Sequence, residues 1–329
     1  MKKSVVFAFM VMSVFVSSAF ADGGFIPFDP NIDVSEPGQK AIIGWNGEEE
    51  ILILSIDAYA SEATTALQIV PLPSEPEIEA GDFDSFYRIQ DLIMWRMPTD
   101  QGWGEGTLGN EKGVEVIFHE QIGAHDVMTV HVSNWADFAS WLEGYLTARD
   151  MPTETISTAQ DKIAHYLARD VNYFVFDLVD LNDVVGSKDP LIYTFETDSL
   201  YYPLVISTLN PGYVDIKLFV ITHPKPGSMY FDNAGFDVYT NVDLTLEDIE
   251  WIEPKLGALF GETGGSWVTV ATYEGPITAF TEDLDTDLGF IEQEPVDVLT
   301  YLIFGLFAGI LIGAGLSIII HALPKVSKK

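Results

Sequence analysis

The clearest pattern of apolar and polar positions is in QKAIIGWNGEEEILILSI, where two apolar runs flank Asn46 and Gly47. Asn and Gly accept the positive φ angles of a type I′ turn, and this dipeptide between apolar runs is a strong hairpin signal. The pattern therefore predicts a β-hairpin that turns at Asn46-Gly47.

Two further segments show the 3.6-residue period of an amphipathic helix. In DFDSFYRIQDLIMWR the apolar face is predicted to consist of Phe83, Phe86, Tyr87, Ile89 and Ile93. In NWADFASWLEGYLTAR, aromatic and leucine side chains recur at the same spacing. Each segment predicts one helix.

Two more helices are predicted from their capping residues. STAQDKIAHYLARD places Ser157 and Gln160 at the two positions of a capping box, which satisfies backbone N–H groups at a helix start. TLEDIEWIEPKLGALF has Thr245 and Asp248 at its start, and Pro254 is predicted to interrupt the helix.

The remaining apolar segments alternate with a period of two and predict strands. They are LQIVPLPSEPEIE, GVEVIFHEQIGAHDVMTVHVS (two strands around residues 122–124), VNYFVFDLVDL, PLIYTFETDSLYYPLVIS (two strands joined at 197–199), GYVDIKLFVITH and GSWVTVATYEG. The order of elements predicts an α+β fold of mainly antiparallel strands with three or four helices.

The C-terminal apolar run is too long for an ordinary core helix. Val298–Ile320 is free of charge over its whole length, and about 20 such residues cross the hydrocarbon of a bilayer. A buried core helix is the alternative, but such helices are usually shorter and have a polar face. The run predicts one C-terminal transmembrane helix.

The N-terminus has the pattern of a secretory signal. Lys2 and Lys3 precede an apolar stretch, and Ala19 and Ala21 are the small residues expected before a cleavage site. Cleavage before Asp22 is predicted, with an uncleaved anchor as the alternative.

Orientation follows from the basic residues at the other end. Lys325, Lys328 and Lys329 lie directly after the predicted span, and basic residues beside a span remain on the cytoplasmic side. The predicted organisation is a signal peptide (1–21), an ectodomain outside the cell with possibly two subdomains (22–280), an acidic stalk (281–296), a transmembrane helix (297–321) and a cytoplasmic tail (322–329).

Small residues recur at every fourth position of the predicted span. Gly305, Gly309 and Gly313 form one helix face, and such a face allows close backbone approach between membrane helices. Glycine is also common in membrane helices generally. The pattern predicts pairing with a second copy of the chain or with another envelope protein.

Composition restricts the partners of the exported part. All 50 acidic residues lie between residues 22 and 297, against eleven Lys and Arg in the same range, so the net charge there is −39. A field of this sign repels nucleic acid and anionic lipid, and we exclude both as partners. The chain has no cysteine, so it has neither a disulfide nor a lipid-modified cysteine.

Two segments carry possible metal ligands. In DLDTDLGFIEQE, Asp283, Asp285, Asp287 and Glu294 occupy positions 1, 3, 5 and 12 of a Ca²⁺ loop. Leu288 stands where that loop needs glycine, so a solvated acidic stalk is the competing interpretation. In the other segment, His119, Glu120, His125, Asp126 and His131 lack the helical His-Glu-x-x-His spacing, which favours ordinary strand histidines.

No catalytic motif is present in the chain. A Gly-x-Ser-x-Gly sequence is missing, and Ser266 follows two glycines without a histidine or acid linked to it by any motif. The many carboxylates leave a paired acid/base site open. The sequence therefore favours a non-enzymatic protein and predicts no catalytic or cofactor-binding residue; Ca²⁺ is the single cofactor considered.

A set of ordered segments resembles a known family. VSEPGQKAIIGWNGEEEILILS, PLPSEPEIE, QIGAHDVMTVHVSNWADFASWLEGYL and YTFETDSLYYPLVIS, which lie between about residues 23 and 223, resemble the prokaryotic domain of unknown function twenty-three-thirty. Members often have a cysteine before the Gly-Gly pair, where this chain has Asp22. The resemblance implies an exported, often membrane-attached protein and implies no activity.

The sequence thus predicts a single-pass membrane protein with its ectodomain at the cell surface, where it acts as a binding or structural module. The alternative is a membrane-tethered hydrolase with a site assembled from scattered residues. A third possibility is calcium-dependent adhesion.

Overall fold

The β-hairpin at Asn46-Gly47 forms the centre of the larger sheet. In the computed structural model, which describes residues 24–97, 126–261 and 265–286, two twelve-residue strands pair on either side of this turn. A type I′ turn needs a positive φ at both central residues. Gly47 has a φ of +104°, but the φ of Asn46 is not positive, so the type I′ prediction is wrong. The Asn46 side chain instead accepts hydrogen bonds from the N–H groups of Glu48 and Glu49, at 2.9 and 2.8 Å.

The described residues contain fourteen strands and six α-helices. The strands are β1 (Gly24–Pro27), β2 (Val34–Trp45), β3 (Glu49–Ala60), β4 (Thr64–Leu72), β5 (Glu77–Ala80), β6 (Asp126–His131), β7 (Tyr173–Leu181), β8 (Gly186–Ser187), β9 (Leu191–Glu196), β10 (Leu200–Tyr202), β11 (Tyr213–Thr222), β12 (Asp237–Leu244), β13 (Ser266–Pro276) and β14 (Leu284–Thr286). The helices are α1 (Phe83–Arg96), α2 (Trp135–Thr147), α3 (Gln160–Leu167), α4 (Ser228–Asn233), α5 (Leu246–Ile252) and α6 (Pro254–Phe260).

The strands form three sheets. The largest has the order β12-β13-β11-β2-β3-β9-β5, with β8 also paired to β3. The second has the order β1-β4-β7-β6, and β10 pairs with β14 alone. All described pairs are antiparallel except β2 with β11, which confirms an α+β fold of mainly antiparallel strands.

Helices cover one face of each large sheet. The buried side chains of α1, α5 and α6 form one apolar cluster with β2, β3, β11 and β13. Those of α2 and α3 form a second cluster with β4 and β7. Nearly every position of β3 is buried, so both faces of the large sheet are covered in its middle.

Six described helices exceed the predicted three or four for two reasons. Pro254 divides the last predicted helix into α5 and α6, as expected, because proline begins α6 directly after Glu253 ends α5. The short helix α4 has no clear apolar period and was not predicted. The capping box of Thr245 and Asp248 is confirmed at the start of α5.

Two details of the helix predictions are wrong. Tyr87 is 54% exposed, while Leu92 is buried beside Phe86, Ile89 and Ile93, because 100° per residue places Tyr87 away from that face. The capping box at Ser157 is absent: residues 156–159 already form a 3₁₀ helix, so Ser157 lacks the extended backbone that a capping residue needs.

The C-terminal boundary of the folded part differs from the sequence interpretation. The acidic stalk was predicted to begin at residue 281, yet Leu284–Thr286 pair with β10 and the side chain of Leu284 is buried. Among residues 24–97, 126–261 and 265–286, none of the helices has the length and apolarity to cross a bilayer. Val298–Ile320, the signal peptide and the first strand of the 122–124 hairpin lie outside these residues.

Candidate functional site

The side chain of Asp283 is the centre of a buried polar cluster at the end of the folded part. Its Oδ1 accepts hydrogen bonds from the N–H groups of Leu204 and Val205, both at 2.8 Å, and from the Tyr166 hydroxyl at 3.0 Å. Its Oδ2 accepts one from the Tyr201 hydroxyl at 3.1 Å. We call this carboxylate with its four donors the Asp283 clasp.

Local structure explains why these donors converge. Leu204 and Val205 directly precede a 3₁₀ helix at Ile206–Leu209, and N–H groups at a helix start have no partner within the helix. Tyr166, from α3, also accepts a hydrogen bond from the Ile206 N–H at 2.8 Å. The clasp therefore joins α3, β10 and the 3₁₀ helix to the residue before β14.

The electrostatics of the clasp are dominated by burial. Burial raises the pKa of Asp283, and the hydrogen bonds from Val205, Leu204, Tyr166 and Tyr201 oppose that rise. Burial, followed by the negative charge of Asp283, raises the pKa of Tyr201 well above its ordinary value. Tyr201 therefore remains a protonated donor throughout the physiological range.

A second carboxylate, Glu50, lies beside the clasp and is fully buried. Its Oε2 accepts a hydrogen bond from the Tyr201 N–H at 2.8 Å, whereas its Oε1 has no hydrogen-bond partner among the described residues. Burial raises the pKa of Glu50 well above its ordinary value, and the nearby charge of Asp285 adds to the rise. An uncompensated buried acid of this kind favours its neutral form.

The predicted Ca²⁺ ligands are only partly within the described residues. Asp283 accepts hydrogen bonds from the four donors of the clasp, and Asp285 accepts one from the Ser199 hydroxyl. Asp287 and Glu294 lie outside the described residues. In the part of the chain that the structure describes, no group of three or more His, Asp or Glu side chains could hold a metal ion.

The other predicted residues are separate from the clasp. His131 ends β6, where its ring lies edge-on to Tyr173 with 5.0 Å between centroids. Asp126 begins that strand. His119, Glu120, His125 and the glycine face Gly305, Gly309 and Gly313 lie outside the described residues.

An open acidic groove of about 900 Å³ lies near the tip of the β2–β3 hairpin. Its carboxylates are Glu48, Glu49, Glu196 and Asp198. None of the four forms an ion pair with a Lys or Arg among the described residues. The groove therefore concentrates part of the negative charge that the composition predicts.

Ser266 has a histidine neighbour that no sequence motif indicated. Its hydroxyl lies 3.2 Å from Nδ1 of His223, because Ser266 begins β13 and His223 directly follows the adjacent strand β11. Phe260 and Trp267 line a cavity of about 440 Å³ together with Ser266. A hydroxyl and an imidazole within hydrogen-bond distance are the minimum for nucleophilic catalysis.

Glu50, Tyr166 and Tyr201 were missed by sequence reasoning. The signal for Glu50 was present: it shares the period-two positions of Leu52 and Leu54 in β3, and both neighbours are buried. The two tyrosines belong to apolar patterns that predict packing alone. Their hydroxyls meet Asp283 only through contacts between residues far apart in the chain.

Comparison with known proteins identifies a family. A family model described as an uncharacterized protein conserved in bacteria (DUF2330, domain of unknown function twenty-three-thirty) matches residues 16–283. The match confirms the predicted resemblance and extends it past residue 223 to Asp283. No curated protein matches the chain.

Solved structures with some likeness to the chain come from baculovirus P35. The crystal structure of P35 has 11% sequence identity and a TM-score of 0.40, covering 65% of this chain and 75% of that one. P35 in complex with caspase-8 has 10% identity and a TM-score of 0.34, covering 63% and 73%. Similarity at this level carries no argument about this chain.

Proposed function

The chain belongs to DUF2330, a family of uncharacterized proteins conserved in bacteria, and from this premise we propose that it is an exported binding or structural module, held at the cell surface by one C-terminal helix. The observation that carries the proposal is the uncharged run Val298–Ile320 followed by three lysines. A run of this length matches the thickness of a bilayer, and lysines beside it favour a cytoplasmic tail.

The charge of the folded part supports an extracellular role. With a net charge of −39 over residues 22–297, the ectodomain is soluble in a cation-rich medium, where the charge is screened over a few ångströms. Nucleic acids and anionic lipids are repelled by that field. The partners that fit are other envelope proteins and a second copy of the chain.

Protease treatment of intact spheroplasts tests the proposed topology. We expect the ectodomain to be degraded while an epitope after Lys329 stays protected, and we expect the full chain to stay in the membrane pellet after alkaline carbonate washing. A variant that ends at Asp297 is the matched control and should be released. A resistant ectodomain, or a full chain that washes free, would refute the topology.

One observation favours a second candidate function, a membrane-tethered serine hydrolase. The hydroxyl of Ser266 lies 3.2 Å from His223 Nδ1 beside an apolar cavity, which suits an acyl ester as substrate. The hydroxyl would attack the ester carbonyl while the imidazole takes its proton and passes it to the leaving alcohol. Water would then hydrolyse the acyl-enzyme and release the acid.

A fluorophosphonate probe tests the hydrolase directly. The hydrolase requires labelling of the wild type that is lost in Ser266→Ala and His223→Ala and retained in Ser228→Ala, a control in α4 outside the pair. An unlabelled wild type, or labelling that survives in Ser266→Ala, would exclude this candidate and leave the binding module.

A further inference from the structure

Two lysines lie side by side on the large sheet. Lys217 in β11 is the partner of Lys40 in β2, and the side chains of such partners stand on the same face of the sheet. Residues 22–297 have only eleven Lys and Arg, yet two of them are placed together here. Since like charges on neighbouring strands repel each other, this placement needs an explanation.

This face of the sheet changes from apolar to polar at the two lysines. Two residues further along the same strands, Phe219 and Ile42 are fully buried in the apolar cluster of the large sheet. Lys217 is half-buried, and the side chain of Lys40 is 29% exposed. The lysines therefore stand at the margin of the core, where a side chain is partly desolvated but a small molecule can still reach it.

A carboxylate pairs with one of the two lysines and not with the other. Asp57 Oδ2 lies 3.6 Å from Lys40 Nζ, and Asp57 Oδ1 accepts a hydrogen bond from the Ser187 hydroxyl. Gly38 makes room for this carboxylate, because a Cβ at residue 38 would lie 2.7 Å from Asp57 Oδ2. Lys217 forms no ion pair with an Asp or Glu in the part of the chain that the structure describes.

The surroundings of Lys217 increase the neutral fraction of its amine. Burial lowers the pKa of Lys217, the charge of Asp215 opposes that fall, and the charge of Lys40 adds to it. A lysine that is desolvated and lies beside a second cation is the arrangement that makes an amine nucleophilic. We call Lys217, Lys40, Asp57 and Asp215 the lysine patch.

We propose that the amine of Lys217, at the centre of the lysine patch, is a covalent binding site for a small uncharged aldehyde, which it holds as a Schiff base. The nitrogen lone pair attacks the carbonyl carbon, a proton moves from the nitrogen to the carbonyl oxygen, and loss of water leaves the C=N bond. This step needs no oxidant or reductant. The carboxylates of Asp57 and Asp215 disfavour an anionic carbonyl compound, and the half-buried position of Lys217 disfavours a bulky one. The proposal does not depend on the membrane anchor.

Reductive trapping with propionaldehyde and sodium cyanoborohydride tests the proposal on the folded full chain. The reductant converts each imine into a stable secondary amine, and peptide mass spectrometry then gives the labelling rate of each lysine. At neutral pH we expect Lys217 to be labelled severalfold faster than Lys225, an exposed lysine shortly after β11. Unfolding in guanidinium chloride should remove this difference, because the fold supplies both the burial and the neighbouring Lys40.

Substitution of the neighbouring lysine gives a second measurement. Lys40→Gln removes the positive charge beside Lys217 and should slow the labelling of Lys217 severalfold. The matched control is Lys255→Gln, which removes the lysine of another ion pair, with Glu79 at 2.6 Å, and should leave that rate unchanged. Equal labelling of Lys217 and Lys225 in the folded wild type, or a Lys217 rate that Lys40→Gln does not reduce, would overturn the proposal. If Lys40→Gln does not fold, the comparison within the wild type decides alone.

Discussion

Glu50 is a buried acid whose side chain accepts one hydrogen bond, from the Tyr201 N–H. No Lys or Arg side chain among the described residues acts to lower its raised pKa. The ionised form of Glu50 therefore has a higher free energy in the folded state than in the unfolded state, where water solvates it. Since its pKa is raised on folding, the folded state binds the proton more tightly. The protonated form of Glu50 therefore stabilises the fold fully below pH 4.5, the ordinary pKa of this group. That stabilisation is lost as the pH rises through the raised pKa of the folded state.

We expect Glu50→Gln to stabilise the protein at neutral pH, because glutamine keeps an acceptor for the Tyr201 N–H and carries no charge. Because the raised pKa means that the ionised form is disfavoured in the folded state, the free energy of unfolding should increase when the charge is removed. Urea denaturation between pH 4 and pH 8 measures it, and the difference from the wild type should grow with pH. The exposed Glu48→Gln provides the control; a gain that is independent of pH would contradict the assignment.

Asp283 differs from Glu50 because four donors depend on it. Asp283→Ala leaves two backbone N–H groups and the Tyr166 hydroxyl without their acceptor, whereas the Tyr201 hydroxyl keeps the Pro71 carbonyl at 3.3 Å. Each unsatisfied buried group costs about 1–3 kcal/mol. We expect the free energy of unfolding to fall by about 3–5 kcal/mol at neutral pH. Water that enters the space left by the carboxylate replaces part of the lost hydrogen bonding, so the full sum is not reached. Asp232→Ala, at an exposed position in α4, should change it little. If chemical denaturation shows equal effects for the two variants, the clasp does not stabilise the fold.

At the scale of elements, prediction succeeded where the signal was local. The hairpin at Asn46-Gly47, the helix α1, and the break at Pro254 each depend on neighbouring residues whose backbone preferences agree. The segment PLIYTFETDSLYYPLVIS is different: β9 and β10 follow each other in sequence, yet they belong to different sheets. Strand partners are chosen by tertiary contacts, which an alternating pattern does not specify.

The candidate site was less predictable than the elements. The spacing of Asp283 and Asp285 suggested Ca²⁺ ligands. In the structure the hydroxyls of Tyr166 and Tyr201 donate hydrogen bonds to Asp283, and the charge of Asp285 acts on the buried Glu50. Those contacts depend on how α3, β3 and β10 pack, and no pattern within any one of these elements encodes it.

Pairing of the predicted membrane helix is tested by a single substitution. Gly309→Leu adds a bulky side chain to the middle of the glycine face and should prevent close approach of two helices. In a membrane reporter of self-association, we expect a clear loss of signal. Ala308→Leu, one residue away from that face, should have little effect, and an equal response of the two variants would discard the pairing.

At the scale of the whole molecule, the excess of carboxylates opposes folding by self-repulsion. Salt screens such repulsion over distances of about 10 Å at 0.1 M. We therefore expect the thermal midpoint to rise between low salt and 1 M NaCl, and to rise further when Mg²⁺ replaces part of the Na⁺. Calorimetry at fixed pH measures both effects. A midpoint that falls or stays constant with added salt would show that the charge is tolerated without cost.

The parallel pairing of β2 with β11 has a consequence for how the polypeptide matures. Gly38 and Asp215 are partners in the middle of the large sheet, so this sheet closes only after most of the chain is available. A polypeptide that emerges with its N-terminus first must leave one side of β2 vacant until β11 arrives, and such distant pairing is slow. A chain that stays open for this long needs protection from aggregation until Thr222, at the end of β11, has emerged.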